Sequence, residues 1–403
     1  MFEREKTRRL ENPRERKANN ISRVKLFFTG GSIDRSFVIT ILLLVVFGLV
    51  ILFSASLVTA HSNTGDAYYY IKKQLFGLSL GLVSFLILAK IDYHFLRKYS
   101  LFFLILAISL LILVFVPGVR AEFGTSYSWI VVFGQSFQVA EAVKLLLIFY
   151  LAAWVESRQD DLKQFSTGLL PFLSVVSLIG ILLIAQPDLG TFILVFTIAL
   201  SIYFVAEGNM KQLIILFLIF VFSSLIFLSN LNNSDSDGLM RSYQVNRIRC
   251  LQDPEFDRDI CYQVNQSLIA VGSGGLWGRG FGNSIQKFNY LPEVWADSIF
   301  PVIAEEIGFI GSLLLLLVYL FIFYKGMMIA KKAPDMYGRS MAVGISVWIF
   351  FQAFLNIGGM INLIPMTGVP LPFVSAGGTS LWFLLASCGI LVSIDRQKIE
   401  KNN

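Results

Sequence analysis

The stretch Tyr290–Glu306, YLPEVWADSIFPVIAEE, puts Asp297 at the lip of an apolar run and Glu305 and Glu306 inside it. Ionisable groups at membrane depth are costly, and they tend to be kept for function. QVAEAVKLLLIFYLAAWV carries Glu141 and Lys144 three residues apart, so they share a helix face and can pair. That pair either pins helix packing or lines a polar cavity. QPDLGT sets Asp188 at a turn, where it caps the next helix or faces the same cavity. Asp297 has the same two readings, an N-cap for the run that follows or a carboxylate used in chemistry. Glu305 and Glu306 are neighbours and point about 100° apart on a helix. At most one points where Asp297 points, so they read as packing polarity with one of them lining a cavity. The two histidines, His61 and His94, lie far apart, which argues against a zinc site or a Ser-His-Asp set. GSGGLWGRGFG lacks the Lys-Ser/Thr ending and the preceding strand of a phosphate loop.

The elements that must position these groups are membrane helices. The 403 residues are 55% hydrophobic and 15% charged, where a soluble domain averages about 25% charged. Runs of roughly 20 apolar residues recur over about 36–58, 74–90, 100–117, 138–155, 169–186, 189–207, 213–230, 297–324, 341–363 and 380–394. The expected fold class is an all-α polytopic membrane protein of about ten transmembrane helices, one domain over 36–396. Residues 1–35 read as a disordered basic tail and 397–403 as a short second tail. Ten Lys and Arg in the first 35 residues put the N-terminus in the cytoplasm. Basic residues after the even-numbered spans agree, which puts the C-terminus there too. Membrane topology accounts for the net charge of +6, so no nucleic-acid partner is called for. The long basic start, with no small-residue cleavage site, does not read as a cleaved signal peptide.

On this topology the long loop 231–297 faces outward. It opens on the polar NNSDSDG, contains an amphipathic helix at YQVNQSLIAV followed by turn-favouring glycines, and is expected to be structured and to lie on the membrane surface. Cys250 and Cys261 both sit in it, and an oxidising exterior permits either a disulfide or two free thiols. Cys388, in the last span, simply packs. NLIPMTGVPLPFVSAGGTS, before the last span, carries three prolines and three glycines. Irregular backbone at this depth must be buried in protein or line a cavity. Small-residue faces such as NIGGM, Asn356–Met360, read as close helix packing.

The chain resembles the shape, elongation, division and sporulation family of membrane glycosyltransferases, nearly end to end from Asp34 to Arg396. GLVILFSAS, QPDLGT, YQVNQSLIAVGSGGLWGRGFGNSIQKFNYLPE, DSIFPVIAEEIGFIG and GVPLPFVSAGGTS carry the likeness together and in order. Three departures stand out: Gln138-Val139-Ala140-Glu141 where the family has Gln-Pro-Ser-Glu, Ser375-Ala376-Gly377-Gly378-Thr379 for Ser-Tyr-Gly-Gly-Ser, and Trp295-Ala296-Asp297-Ser298 for His-Thr-Asp-Phe. The resemblance implies that lipid II is polymerised into glycan strands outside the cytoplasmic membrane, with Asp297 as the essential carboxylate. Lipid II already carries a good leaving group, a pyrophosphate, so what is needed is a base for the acceptor 4-hydroxyl. A half-desolvated carboxylate suits that role. Expected substrate contacts are Glu141, Lys144, Asp188, Arg247, Arg249, Arg279, Glu305, Glu306 and Ser375. Arginine and lysine, or a divalent cation such as magnesium or manganese, would steady the departing diphosphate. The resemblance further implies a class B penicillin-binding protein as partner, with other division or elongation membrane proteins. The first two spans look more like the division branch, with a polymerase for elongation and cell shape as the alternative. A lipid-precursor flippase and a purely structural membrane partner are the rival classes.

Overall fold

The computed structural model describes residues 33–117, 128–132, 135–208, 211–212, 214–215, 218 and 239–398. The basic tail, the span expected over 213–230, the NNSDSDG stretch and the last five residues lie wholly or mostly outside them. The described chain is a helical bundle. Its elements are α1 (Arg35–Thr64), α2 (Tyr69–Lys90), the short α3 (His94–Arg97) and α4 (Ser100–Leu113). Next come a hairpin of β1 (Trp129–Val132) and β2 (Gln135–Gln138), then α5 (Val139–Ser157), α6 (Leu170–Ala185) and α7 (Leu189–Val205). The loop contributes α8 (Leu239–Gln252) and α9 (Tyr262–Ser273), followed by α10 (Ile299–Lys332), α11 (Met336–Met360) and α12 (Gly378–Arg396). Among the described residues, six helices are long and apolar enough to cross a membrane, with α4 and α7 as shorter apolar helices.

Helix ends follow local chemistry. Asp34 caps α1 by accepting from the Ser36 and Phe37 amides, and Gly65 stops it in the left-handed region. Asp335 caps α11 through the Gly338 amide. The antiparallel hairpin, with Trp129 opposite Gln138, was not expected from the sequence. It stands immediately before α5, where this chain departs from the family's Gln-Pro-Ser-Glu. α5, α11 and α12 form the centre and bury most of their length. α12 packs most extensively along α2, and α10 along α11. At one end, Lys325 pairs with Asp34 at 2.8 Å and the Asp34 amide donates to Asp395 at 2.7 Å, tying α1, α10 and α12 together. α8, α9 and the start of α10 occupy the opposite end. The cysteines of the loop form a disulfide, Cys250–Cys261, that joins the end of α8 to the start of α9.

α10 is longer than its expected span and it is broken. At Gly308 the backbone turns to φ 71° and ψ −170°. A break strands two amides and two carbonyls, which a membrane environment cannot leave unpaired. The loop after α9 supplies all four partners. The Arg279 and Gly280 amides donate to the Glu305 and Glu306 carbonyls at 2.9 and 3.0 Å. The Phe309 and Ile310 amides donate to the Gly275 and Leu276 carbonyls at 2.9 and 3.1 Å. Gly278, itself at φ 81°, comes so close that a Cβ there would sit 2.2 Å from the Glu306 carbonyl oxygen. Gly278→Ala is therefore expected to lower thermal stability by about 2 kcal/mol or more, from overpacking plus left-handed strain. A thermal aggregation midpoint in detergent measures this; an unchanged midpoint would show that the loop docks elsewhere.

Candidate active site

Four elements converge at the end of the bundle that carries α8 and α9. The first is the turn before α10. Ser298 is the N-cap residue of α10 and makes no side-chain cap bond, so the capping role does not fall to Asp297. Asp297 lies one residue before that N-cap, 9% exposed. Its Oδ1 has no hydrogen-bond partner. Burial pushes its carboxyl above the ordinary Asp value of 3.8, and the charge of Arg247 opposes that rise without cancelling it. Glu293, one turn earlier, is raised by burial and then by the charge of Asp297.

The second element is α8. Arg247 donates from Nη1 to the Met366 carbonyl at 2.6 Å. Its two terminal nitrogens and Asp297 Oδ2 lie 3.8 to 3.9 Å from the point where a Cβ on Gly368 would stand. Gly368 has φ 71° and so leaves that space to the carboxylate and the guanidinium. Arg249 is two residues on, roughly 200° round the helix, and lies over the Phe256 ring at 5.4 Å. Of the two arginines the sequence singled out in α8, only Arg247 is brought to Asp297.

The third element is the Pro-Gly segment between α11 and α12, whose irregular backbone is tied from several sides. Tyr319 Oη donates to the Pro372 carbonyl at 2.6 Å. Gln74 Nε2 donates to the Ser375 carbonyl at 3.2 Å. The Ala376 amide donates to the Trp295 carbonyl at 2.8 Å, two residues before Asp297. Ser375 Oγ accepts from the Leu371 amide at 2.8 Å and closes the turn.

The fourth element, α11, joins these parts. Asn356 Nδ2 donates both to the Asp297 carbonyl and to the Val369 carbonyl, each at 2.8 Å. One turn earlier on the same face, Gln352 Nε2 donates to the Pro370 carbonyl at 2.9 Å. Gln352 Oε1 accepts from Lys144 Nζ and from Trp348 Nε1, each at 2.7 Å. Lys144 also donates to Glu141 at 2.7 Å, and both side chains are almost fully buried. Asp188 caps α7 through the Thr191 amide at 3.0 Å, so its capping reading holds, and its charge reaches Lys144. The Glu141–Lys144 pair and Asp297 are thus linked through a single turn of α11, about 6 Å of helix.

Glu305 and Glu306 are engaged with the loop. Glu305 accepts from Ser284 Oγ at 2.6 Å and from the Ile285 and Gln286 amides, with Arg279 at 3.3 Å. Glu306 accepts from Lys287 Nζ at 2.8 Å. That ammonium also donates to Ser54 Oγ and to the Gly282 carbonyl. These two glutamates and Arg279 hold the loop against the break in α10.

Gln352 and Asn356 were missed by sequence reasoning, which read NIGGM as a packing face. The available signal was two amides four residues apart in an otherwise apolar helix. Replacing Asn356 with leucine would leave the Asp297 and Val369 carbonyls unpaired. It is expected to lower turnover about 10²-fold, the scale set by a small misplacement of a reacting group, with a much smaller change in KM. Steady-state kinetics on the folded variant check this.

Fold and geometry together define a multi-pass helical membrane protein that keeps a buried carboxylate beside a guanidinium at one end of its bundle. The chain belongs to the FtsW/RodA/SpoVE family of cell cycle proteins, whose model matches residues 34–400. Stage V sporulation protein E of Bacillus subtilis is 38% identical over 366 residues, covering 90% of this chain and 97% of that one. A Bacillus subtilis protein named probable peptidoglycan glycosyltransferase FtsW is 38% identical over 369 residues, 90% of each chain. A chain from a peptidoglycan synthase complex, solved to study the structural coordination of polymerization and crosslinking, superposes with a TM-score of 0.74 at 24% identity, over 91% of this chain and 98% of that one. The rod shape determining protein RodA of Thermus thermophilus gives 0.65 at 24% identity, over 92% and 99%. The family read from the motifs is borne out, and the solved structures bear out the fold.

Proposed function

We propose that this protein is a peptidoglycan glycosyltransferase that joins lipid II units into glycan strands. The observation that carries the reading is the Asp297 carboxylate, buried, of raised proton affinity, with Oδ1 unpartnered and Arg247 alongside. The names of relatives 33–38% identical over most of the chain support it. In the proposed step, Asp297 takes the proton of the acceptor sugar's 4-hydroxyl. The oxygen attacks the anomeric carbon of the donor, a C–O bond forms, and the bond to the diphosphate breaks with its electron pair leaving on the isoprenoid diphosphate. Arg247 stands where it can meet that developing charge. Lys144, Glu141, Asp188 and Ser375 shape the wall behind it. Arg249, Arg279, Glu305 and Glu306 support the site through the loop.

We further propose that a divalent cation can bind beside Asp297. The unpartnered Oδ1 of Asp297 is a hard donor, and Mg²⁺ is commonly held by one carboxylate together with substrate phosphates. Bound there by Asp297, it would neutralise diphosphate charge.

In this proposal the site faces outside the cytoplasmic membrane and both termini lie inside, which the basic residues Lys325, Lys331, Lys332 and Arg396 at the far end support. A class B penicillin-binding protein is the proposed partner, and septal synthesis the proposed setting, in keeping with the first two spans and with membership of a cell cycle protein family. The test is purified protein with that partner and lipid II, read as glycan product on a gel. Wild type should make polymer and Asp297→Ala none. Lipid translocation without product would instead select the flippase.

A further inference from the structure

The segment Leu276–Tyr290 has its polarity inverted. Ser284 and Lys287 are 0% and 5% exposed and their side chains bond Glu305 and Glu306, while Gln286, 8% exposed, gives its backbone amide to Glu305. Leu276, Trp277, Phe281, Ile285, Phe288 and Tyr290 point outward, from 50% to 78% exposed, with Trp277 the most. In water this would be an apolar patch of the kind that soluble monomers avoid. The inversion is expected where the surrounding solvent is lipid, and where aromatic side chains sit at the headgroup level.

The neighbours agree. Backbone bonds attach Gly275 and Leu276 to Phe309 and Ile310, which are themselves 61% and 43% exposed on α10. From Phe309 to Tyr324, the last residue before Lys325, α10 runs 16 residues (324 − 309 + 1), about 24 Å. That covers most of a hydrocarbon core of about 30 Å, so the break at Gly308 falls near one edge of it. The outward patch is continuous with the lipid-facing side of α10 at that edge. Half-exposed Arg279 sits beside it, where a guanidinium meets lipid phosphate.

We infer that Leu276–Tyr290 is a membrane-surface anchor: its apolar face inserts among the lipids of the leaflet on the loop side and holds the turn before α10 at headgroup depth. The occupant is the lipid surface itself, rather than a second copy or another protein.

The test uses the full chain in phosphatidylcholine vesicles. Tryptophan emission is compared between wild type and Trp277→Phe, with lipids brominated near the headgroup or near the chain ends. The expected result is a quenchable component that vanishes in Trp277→Phe and responds most to the shallow bromine. In parallel, Trp277→Cys and Asp259→Cys, the latter exposed on the same loop, are labelled with a membrane-impermeant maleimide. Trp277→Cys should react about tenfold more slowly, as expected for a group at interface depth. An intact Cys250–Cys261 disulfide in each variant confirms folding. Iodide quenching of Trp277 with no lipid quenching would overturn the inference in favour of water. Protection from both quenchers, with crosslinking between copies through Trp277→Cys, would overturn it in favour of protein.

Discussion

Replacing Asp297 with asparagine is expected to slow lipid II polymerisation by about 10²- to 10⁴-fold, the range for loss of a positioned general base. The amide keeps the volume of the side chain, and the Asp297 carbonyl keeps its bond from Asn356 at 2.8 Å. Folding should therefore survive while chemistry fails. The pH profile is a second readout. Burial raises the carboxyl above 3.8, with Arg247 only partly offsetting it. The active form is the ionised one. Rate should fall as pH drops through this raised value, so the acid limb of kcat/KM lies above the ordinary Asp range. Asp297→Glu should keep some activity and move that limb. Polymer made at the normal rate by Asp297→Asn would remove the base from the mechanism.

The second large effect is on Lys144. Lys144→Met removes the ammonium from Glu141 and Gln352, both inside the bundle. An uncompensated buried charge costs about 3–5 kcal/mol, so the detergent-solubilised protein should lose much of its thermal stability. Glu141→Gln in the same chain takes away the stranded charge and should restore most of it. The double variant then separates two roles. If polymerisation returns with stability, the pair only holds α5 to α11. If stability returns and product does not, the ammonium also serves the substrate.

Hydropathy made most helices legible, because a lipid-facing helix must be apolar along its length. It did not reveal the break at Gly308. Apolar residues continue on both sides of that glycine, and the partners that make a break tolerable come from residues 275–280, far away in sequence. Charge spacing picked out Asp297 and the Glu141–Lys144 pair. It could not separate Arg247 from Arg249, since that depends on how α8 is rotated. Glu305 and Glu306 were legible as oddities, but their role depends on a loop whose inward polar residues sit between outward aromatic ones. Asn356 was overlooked because its work is on backbone carbonyls, which leave no trace in a residue pattern. The disulfide, left open by the sequence, required the ends of α8 and α9 to meet.

The interrupted ladder at Gly308 divides α10 into two mechanical units. The long part, Phe309 to Lys332, would tilt as bilayer thickness changes, whereas the turn leading into the short part is held by Asn356 of α11 at the Asp297 carbonyl and by the Ala376 amide at the Trp295 carbonyl. Four amide bonds to the loop act as a joint between them. With the ladder interrupted there, a tilt of the long part has no unbroken helical path to Asp297 and reaches it only through the loop and the neighbouring segments.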